Sequence, residues 1–277
     1  MWKQTLENVG ETVAKSSTAI FNPSNSIQIF SLDQSYLLKR RNKITACFEE
    51  KLAEELHIRH NVGEVIEFLK TDQMTSSIHK MCLNWNMLGK LVLLQIMFGK
   101  SSLLSQFVEK FPIEMNGKTD SDIPLASKMI LFQLIAFLKV FRLTDYLNLE
   151  NQWPITLNKV ARMSGSMRDY YMLSSLLRLR KADKQLMEYK ILDGYYVPLV
   201  INLPGTDHIM PILLSTKQSR EEGRFFDQTN DFISLLVLRQ HFKDRNILVC
   251  EYNQERPEHI RDLAKELNFE LKLASYE

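Results

Sequence analysis

The sequence predicts an α+β protein, with a helical N-terminal domain followed by a C-terminal α/β module built on a mixed sheet. Three observations lead there. Nine glycines and eight prolines in 277 residues are few, which favours long helices over a turn-rich β-sandwich. From Ser31 to about residue 147 the apolar residues recur at helical spacing. After Trp153-Pro154 the texture changes to short β-type runs, two of them flanking Asp193-Gly194, a strong hairpin signal.

The elements follow in order. Residues 1–30 read as a loop-rich segment, with Ser16-Ser17-Thr18 and Asn22-Pro23-Ser24-Asn25-Ser26 in it. Asp33 is placed to cap a helix carrying Leu37, Ile44, Phe48, Leu52 and Leu56. Further helices are expected over 62–70, 74–98 and 103–111. The stretch 112–124 reads as a linker, with proline at each end and Asn116-Gly117 inside. A long helix over 125–146 completes a helical domain at 31–147. The module at 155–277 starts with helices over 157–163 and 168–180. Strands are expected over 185–191, 195–203 and 208–215. A helix over 224–242 and a buried strand over 246–252 come next. Pro257 opens a helix with Ile260, Leu263, Ala264 and Leu267 on one face. A last strand is expected over 269–273.

Composition limits the function classes. At 45% hydrophobic and 25% charged the chain is globular. Lys and Arg total 35 against 33 Asp and Glu, so nothing draws the whole molecule to nucleic acid or anionic membrane. A nucleic-acid role needs a local basic patch. Cys47, Cys82 and Cys250 are far apart, and none has metal-ligand spacing. They read as reduced thiols of an intracellular protein, nuclear or cytoplasmic. No secretory signal opens the sequence. Glu7 and Glu11 break up what in a mitochondrial presequence is acid-poor, and a mitochondrial location is the alternative. The apolar runs 91–98 and 129–141 are too short for a membrane span, and Gln95, Gln133 and Lys139 interrupt them.

Several patterns are candidates for chemistry. The segment 178–184 is the densest basic cluster of the second half. It makes Arg178, Arg180, Lys181 and Lys184 phosphate contacts, with Tyr170, Tyr171 and Tyr189 near for stacking. Ala161 and Gly165 have the small residues of a helix-turn-helix, with the Asp193-Gly194 hairpin as a wing. The run Lys39-Arg40-Arg41-Asn42-Lys43 suits a phosphate contact, an import signal or a solvated helix face. His57 and His60 share a helix face but do not complete a metal site. No glycine-rich phosphate cradle and no GxSxG elbow occurs. No cofactor is expected.

The αβββαβ order from residue 168 resembles the core of the PD-(D/E)XK nuclease superfamily. That resemblance implies two metal carboxylates, an Asp after Pro on a hairpin strand and a Glu-x-Lys on the next, with the metal activating water. Here Pro198-Leu199 stands at the first place and Ser215-Thr216-Lys217 at the second. The lysine is kept and both carboxylates are missing. Asp193 and Asp207 are the nearest acids that could take their place, with Glu188 and Lys217 as partners and magnesium or manganese as the metal. The RAP domain of mitochondrial RNA-binding proteins is similar in layout over 209–252, without its signature residues in this chain. About 100 of the 277 residues are covered.

The reading that follows is a non-catalytic, degenerate nuclease-like protein. It binds nucleic acid, DNA or RNA, or sits in a nucleic-acid-processing complex with protein partners, through Arg178, Arg180, Lys181, Lys184 and Lys217. The alternatives are a helical adaptor for a protein partner and a metal-dependent nuclease with relocated carboxylates.

Overall fold

The computed structural model describes residues 27–46, 52, 62–71, 85–119, 122–143, 167–178, 184–192, 195–202, 209–216, 225–243, 247–253, 256 and 258–273. Strand β1 (Gln28–Ser31) opens the described chain, and helices α1 (Gln34–Ala46), α2 (Val62–Thr71), α3 (Trp85–Met97), α4 (Ser102–Met115) and α5 (Leu125–Val140) follow. The module then runs α6 (Met167–Leu176), β2 (Lys184–Leu192), β3 (Tyr195–Asn202), β4 (Ile209–Thr216), α7 (Phe225–Phe242), β5 (Leu248–Tyr252) and α8 (Glu258–Leu273). The fold is α+β, with a five-stranded mixed sheet in the order β1-β5-β4-β3-β2.

Local sequence explains the main boundaries. Asp33 caps α1 as expected, its Oδ1 accepting from the Tyr36 N–H at 2.8 Å. Gln95 breaks the apolar run of α3 for a reason. It is fully buried, its Oε1 accepts from the Leu103 N–H at 2.9 Å, and its Nε2 donates to Ser102 Oγ at 2.9 Å. It thus satisfies first-turn groups of α4, where Ser101 makes no side-chain cap bond. Gly117 adopts φ 76° just past α4, the left-handed position a helix end favours.

The sheet separates two apolar layers. Ile29, Leu199, Ile201, Ile212, Leu214, Cys250 and Tyr252 share a core with Tyr170, Leu173 and Leu177 near α6 and with Ile260, Leu263 and Leu267 of α8. Val197, Val200, Leu213 and Val249 join the other core, with α7 and the N-terminal helices. Helix α7 is the joint. It packs on α1, α3 and α5, and residues 232–238 are all buried. A helix apolar on every side belongs in the interior. The crossover through α7 makes β4 and β5 parallel, with Ser215 opposite Glu251. The β2–β3 and β3–β4 pairs are antiparallel.

Four expectations are corrected. Residues 28–31 are not loop; they form a strand pairing antiparallel with β5. Residues 269–273 are not a strand. They continue α8, because β5 is already flanked by β1 and β4 and no glycine or proline ends the helix. Helix α4 runs through Pro112 to Met115, so the expected linker starts later. Helix α6 ends at Leu176, short of the expected 180. The expected helix over 157–163, with Ala161 and Gly165, lies outside the described residues, as do His57 and His60.

Candidate nucleic-acid interface and polar cavity

Helix α6 has two faces with different duties. Tyr170, Leu173 and Leu177 point into the core. Arg168, Tyr171, Ser175 and Arg178 are exposed, Tyr171 by 56%. At about 100° per residue Arg168, Tyr171 and Ser175 fall within roughly 60° of arc on one outward stripe, and Arg178 follows two residues past the helix end. Its C-terminal end is held from α8. Asn268 Oδ1 accepts from the Arg178 N–H at 2.6 Å, and Asn268 Nδ2 donates to Leu176 O at 3.1 Å. Ser174 Oγ donates to Gln185 Oε1 of β2 at 2.6 Å. The acid of this helix is turned inward, since Asp169 Oδ2 accepts from the Tyr252 hydroxyl at 2.5 Å.

Of the basic candidates, Arg178 is exposed at the end of this stripe. Arg180, Lys181 and Lys217 lie outside the described residues, and so does the Lys184 side chain, although Lys184 opens β2. The three tyrosines part company. Tyr171 is free to stack. Tyr170 is fully buried, its hydroxyl oxygen accepting from the Leu214 N–H at 2.7 Å. Tyr189 is half-buried, its ring centroid 6.2 Å from that of Phe242. Arg168 was visible as a basic residue of this helix, but only the helix period shows it beside Tyr171.

The basic run at 39–43 is wound into α1. Lys39 lies over the Phe30 ring at 5.6 Å, Lys43 and Asn42 are exposed, and Arg40 is turned inward. Burial lowers the Arg41 guanidinium from its usual value. Residues 39–43 therefore do not form one accessible linear signal. Helices α1 and α6 lie against opposite faces of the sheet, so their cations make two separate surfaces.

A polar cavity of about 20 Å³ sits beside the parallel strands β4 and β5, against Leu213, Leu214 and Ser215 of one and Val249 of the other. That is room for about one water. Its polar lining is Tyr36, Arg40, Ser215 and Asp231, against Leu213 and Val249. The Tyr36 hydroxyl donates to Glu251 Oε1 at 3.0 Å in a buried position. Arg40 is only 8% exposed. Asp231 and Glu251 were not among the sequence candidates. The signal for Glu251 was a charge inside the buried strand Leu248–Tyr252, and for Asp231 an acid inside an apolar helix.

The nuclease-type metal positions do not fit a metal. Leu199 is buried in the core facing α6 and α8. Ser215 lines the cavity with Leu213 on the opposite face. The two places thus hold no carboxylate and look away from each other. Asp193 and Asp207 lie outside the described residues. Glu188 is exposed on β2 with φ 52°, and the register with β3 shifts further along the strand, between Lys190 and Leu192. Among the described residues no group of three or more His, Cys, Asp or Glu is placed to hold a metal ion. No described helix is long and apolar enough to cross a membrane.

Comparison with protein-family models, with curated proteins and with solved structures found no match to this chain.

Proposed function

We propose that the protein binds nucleic acid without cleaving it, through the exposed face of α6, as a subunit of a nucleic-acid-processing assembly. The observation that carries this reading is the outward stripe Arg168–Tyr171–Ser175 with Arg178 just past its end, which combines cations with an exposed ring. Arginine meets phosphate with charge and paired hydrogen bonds whatever the sequence. Tyrosine offers a stacking surface. Asn268 fixes the backbone at Arg178, so that end of the stripe is held in place. The missing carboxylates at Leu199 and Ser215 support the non-catalytic half of the reading. So does the buried Arg40, a fixed cation in the cavity nearest Ser215.

The test is fluorescence anisotropy with labelled DNA and RNA at two salt concentrations, with and without magnesium or manganese. Wild type is compared with an Arg168→Ala/Arg178→Ala variant. Removing one phosphate-binding side chain lowers the salt slope by about 1. The expected result is salt-sensitive binding, weakened in the variant, with no cleavage products. Absence of salt-dependent binding overturns the binding reading. Metal-dependent cleavage overturns the non-catalytic one.

A further inference from the structure

We infer that the ligand of the α6 face is a single strand, with one base stacked on Tyr171 and backbone phosphates at Arg168 and Arg178; this rests on the nucleic-acid reading above. Tyr171 decides the matter. Its ring is 56% exposed, while the adjacent Tyr170 is buried completely. A base in a duplex has both faces covered by its neighbours and shows only its edges in the grooves. A single strand has unstacked bases whose faces are open, and aromatic side chains are the surfaces that take them.

The rest of the stripe suits the same occupant. Arg168 lies one turn before Tyr171 on the helix, and Arg178 follows just past the helix end at Leu176, so the two cations bracket the ring along the chain. Ser175, between Tyr171 and Arg178, is small and leaves space for a flat base beside the ring. Asp169 is drawn away to the Tyr252 hydroxyl, so it does not offset the two arginines on the outward side. Charge and shape together describe a short extended strand crossing a convex helix.

The experiment uses the full chain and labelled twelve-residue oligo-uridylate and oligo-thymidylate, a duplex of equal length, and an oligo-thymidylate with abasic sites. The variants are Tyr171→Ala, Tyr171→Phe and Arg178→Ala. Circular dichroism checks the fold, which an exposed position should leave intact. Stacking on a ring is worth about 1–3 kcal/mol per base, or roughly 5- to 150-fold in affinity. The expected result is tighter binding of the single strands than of the duplex. Tyr171→Ala lowers single-strand affinity by a factor in that range, and Tyr171→Phe stays within about twofold of wild type. The abasic strand binds weakly, and Tyr171→Ala costs it nothing further. Uridylate and thymidylate differ in the 2′-hydroxyl and in the base methyl, and a preference for either satisfies the inference. Equal binding of duplex and single strand, with Tyr171→Ala silent and Arg178→Ala weakening both, overturns the single-strand inference and leaves the nucleic-acid reading standing. Binding by none of the probes overturns both.

Discussion

Tyr36 of α1 donates its hydroxyl to Glu251 Oε1 of β5 at 3.0 Å, across 215 positions of chain and away from solvent. One bond ties the first long helix of the N-terminal half to the last strand of the sheet. It also forms part of the wall of the polar cavity, since Tyr36 lines it. Tyr36→Phe keeps the ring and its 5.3 Å packing against Phe30, and removes only the hydroxyl. A loss of about 1–3 kcal/mol is expected. Urea unfolding measures it, and a change below about 0.5 kcal/mol counts against a stabilising bond.

Tyr170 has a different task. The β3–β4 pairing ends at Leu199 opposite Ile212, so Leu214 lies past the last β4 residue paired with β3. The Leu214 N–H bonds to the Tyr170 hydroxyl instead. Tyr170→Phe leaves that buried donor without its acceptor, at a cost of about 1–3 kcal/mol. Amide exchange at Leu214 should speed up more than exchange at Val249, which pairs with Leu213 and Phe30 on neighbouring strands.

The protein should weaken in alkali. Burial pushes the pKa values of Tyr170 and Cys250 well above their ordinary 10.0 and 9.0. Burial also raises Tyr252, with the hydrogen bond to Asp169 adding to it. In the unfolded chain these groups ionise near their ordinary values, while the folded protein keeps them protonated. Their contribution is therefore fully present below about pH 9 and declines as pH rises above 9 to 10. Denaturant midpoints between pH 8 and 11 should fall steadily. Tyr252→Phe should make the fall shallower, and an unchanged slope would argue against Tyr252 as a source.

Asn268 is a positioning residue for the α6 stripe. It accepts from the Arg178 N–H and donates to Leu176 O, so it closes the end of the helix. Asn268→Ala should cost about 1 kcal/mol in stability, as loss of a cap does. It should also weaken nucleic-acid binding by a few-fold, because Arg178 loses its fixed backbone. Binding equal to wild type would separate the cap from the interface.

Much of the fold was legible because its signals are local. The strands β2, β3 and β4 stood out from their apolar runs and the Asp193-Gly194 turn. Asp33, followed by apolar residues at helical spacing, announced α1. What stayed hidden depends on distant partners. Strand β1 has only four residues, too few for a period, and exists because β5 offers it an edge. Segment 269–273 alternates like a strand, and only the occupied flanks of β5 show why it remains helical. Gln95 looked like a break in an apolar helix, whereas it caps the next one. The candidate site was legible as a basic cluster at Arg178. Its ring was not singled out, because Tyr170 and Tyr171 are alike in sequence and only packing turns one in and the other out. Asp231 lines the cavity and Glu251 bonds to Tyr36 in its wall, an arrangement set by distant parts of the chain.

The pairing of β1 with β5 has a consequence for how the chain is made. Gln28 faces Glu251 and Ser31 faces Leu248, so a strand near the start of the described chain finds its partner only near the end. During synthesis the helical half emerges first and must wait with β1 unpaired until β5 has left the ribosome. Long-range pairings of this kind close late and slow folding. A chain interrupted before residue 248 would expose both β1 and the inner edge of β4, two open templates for aggregation.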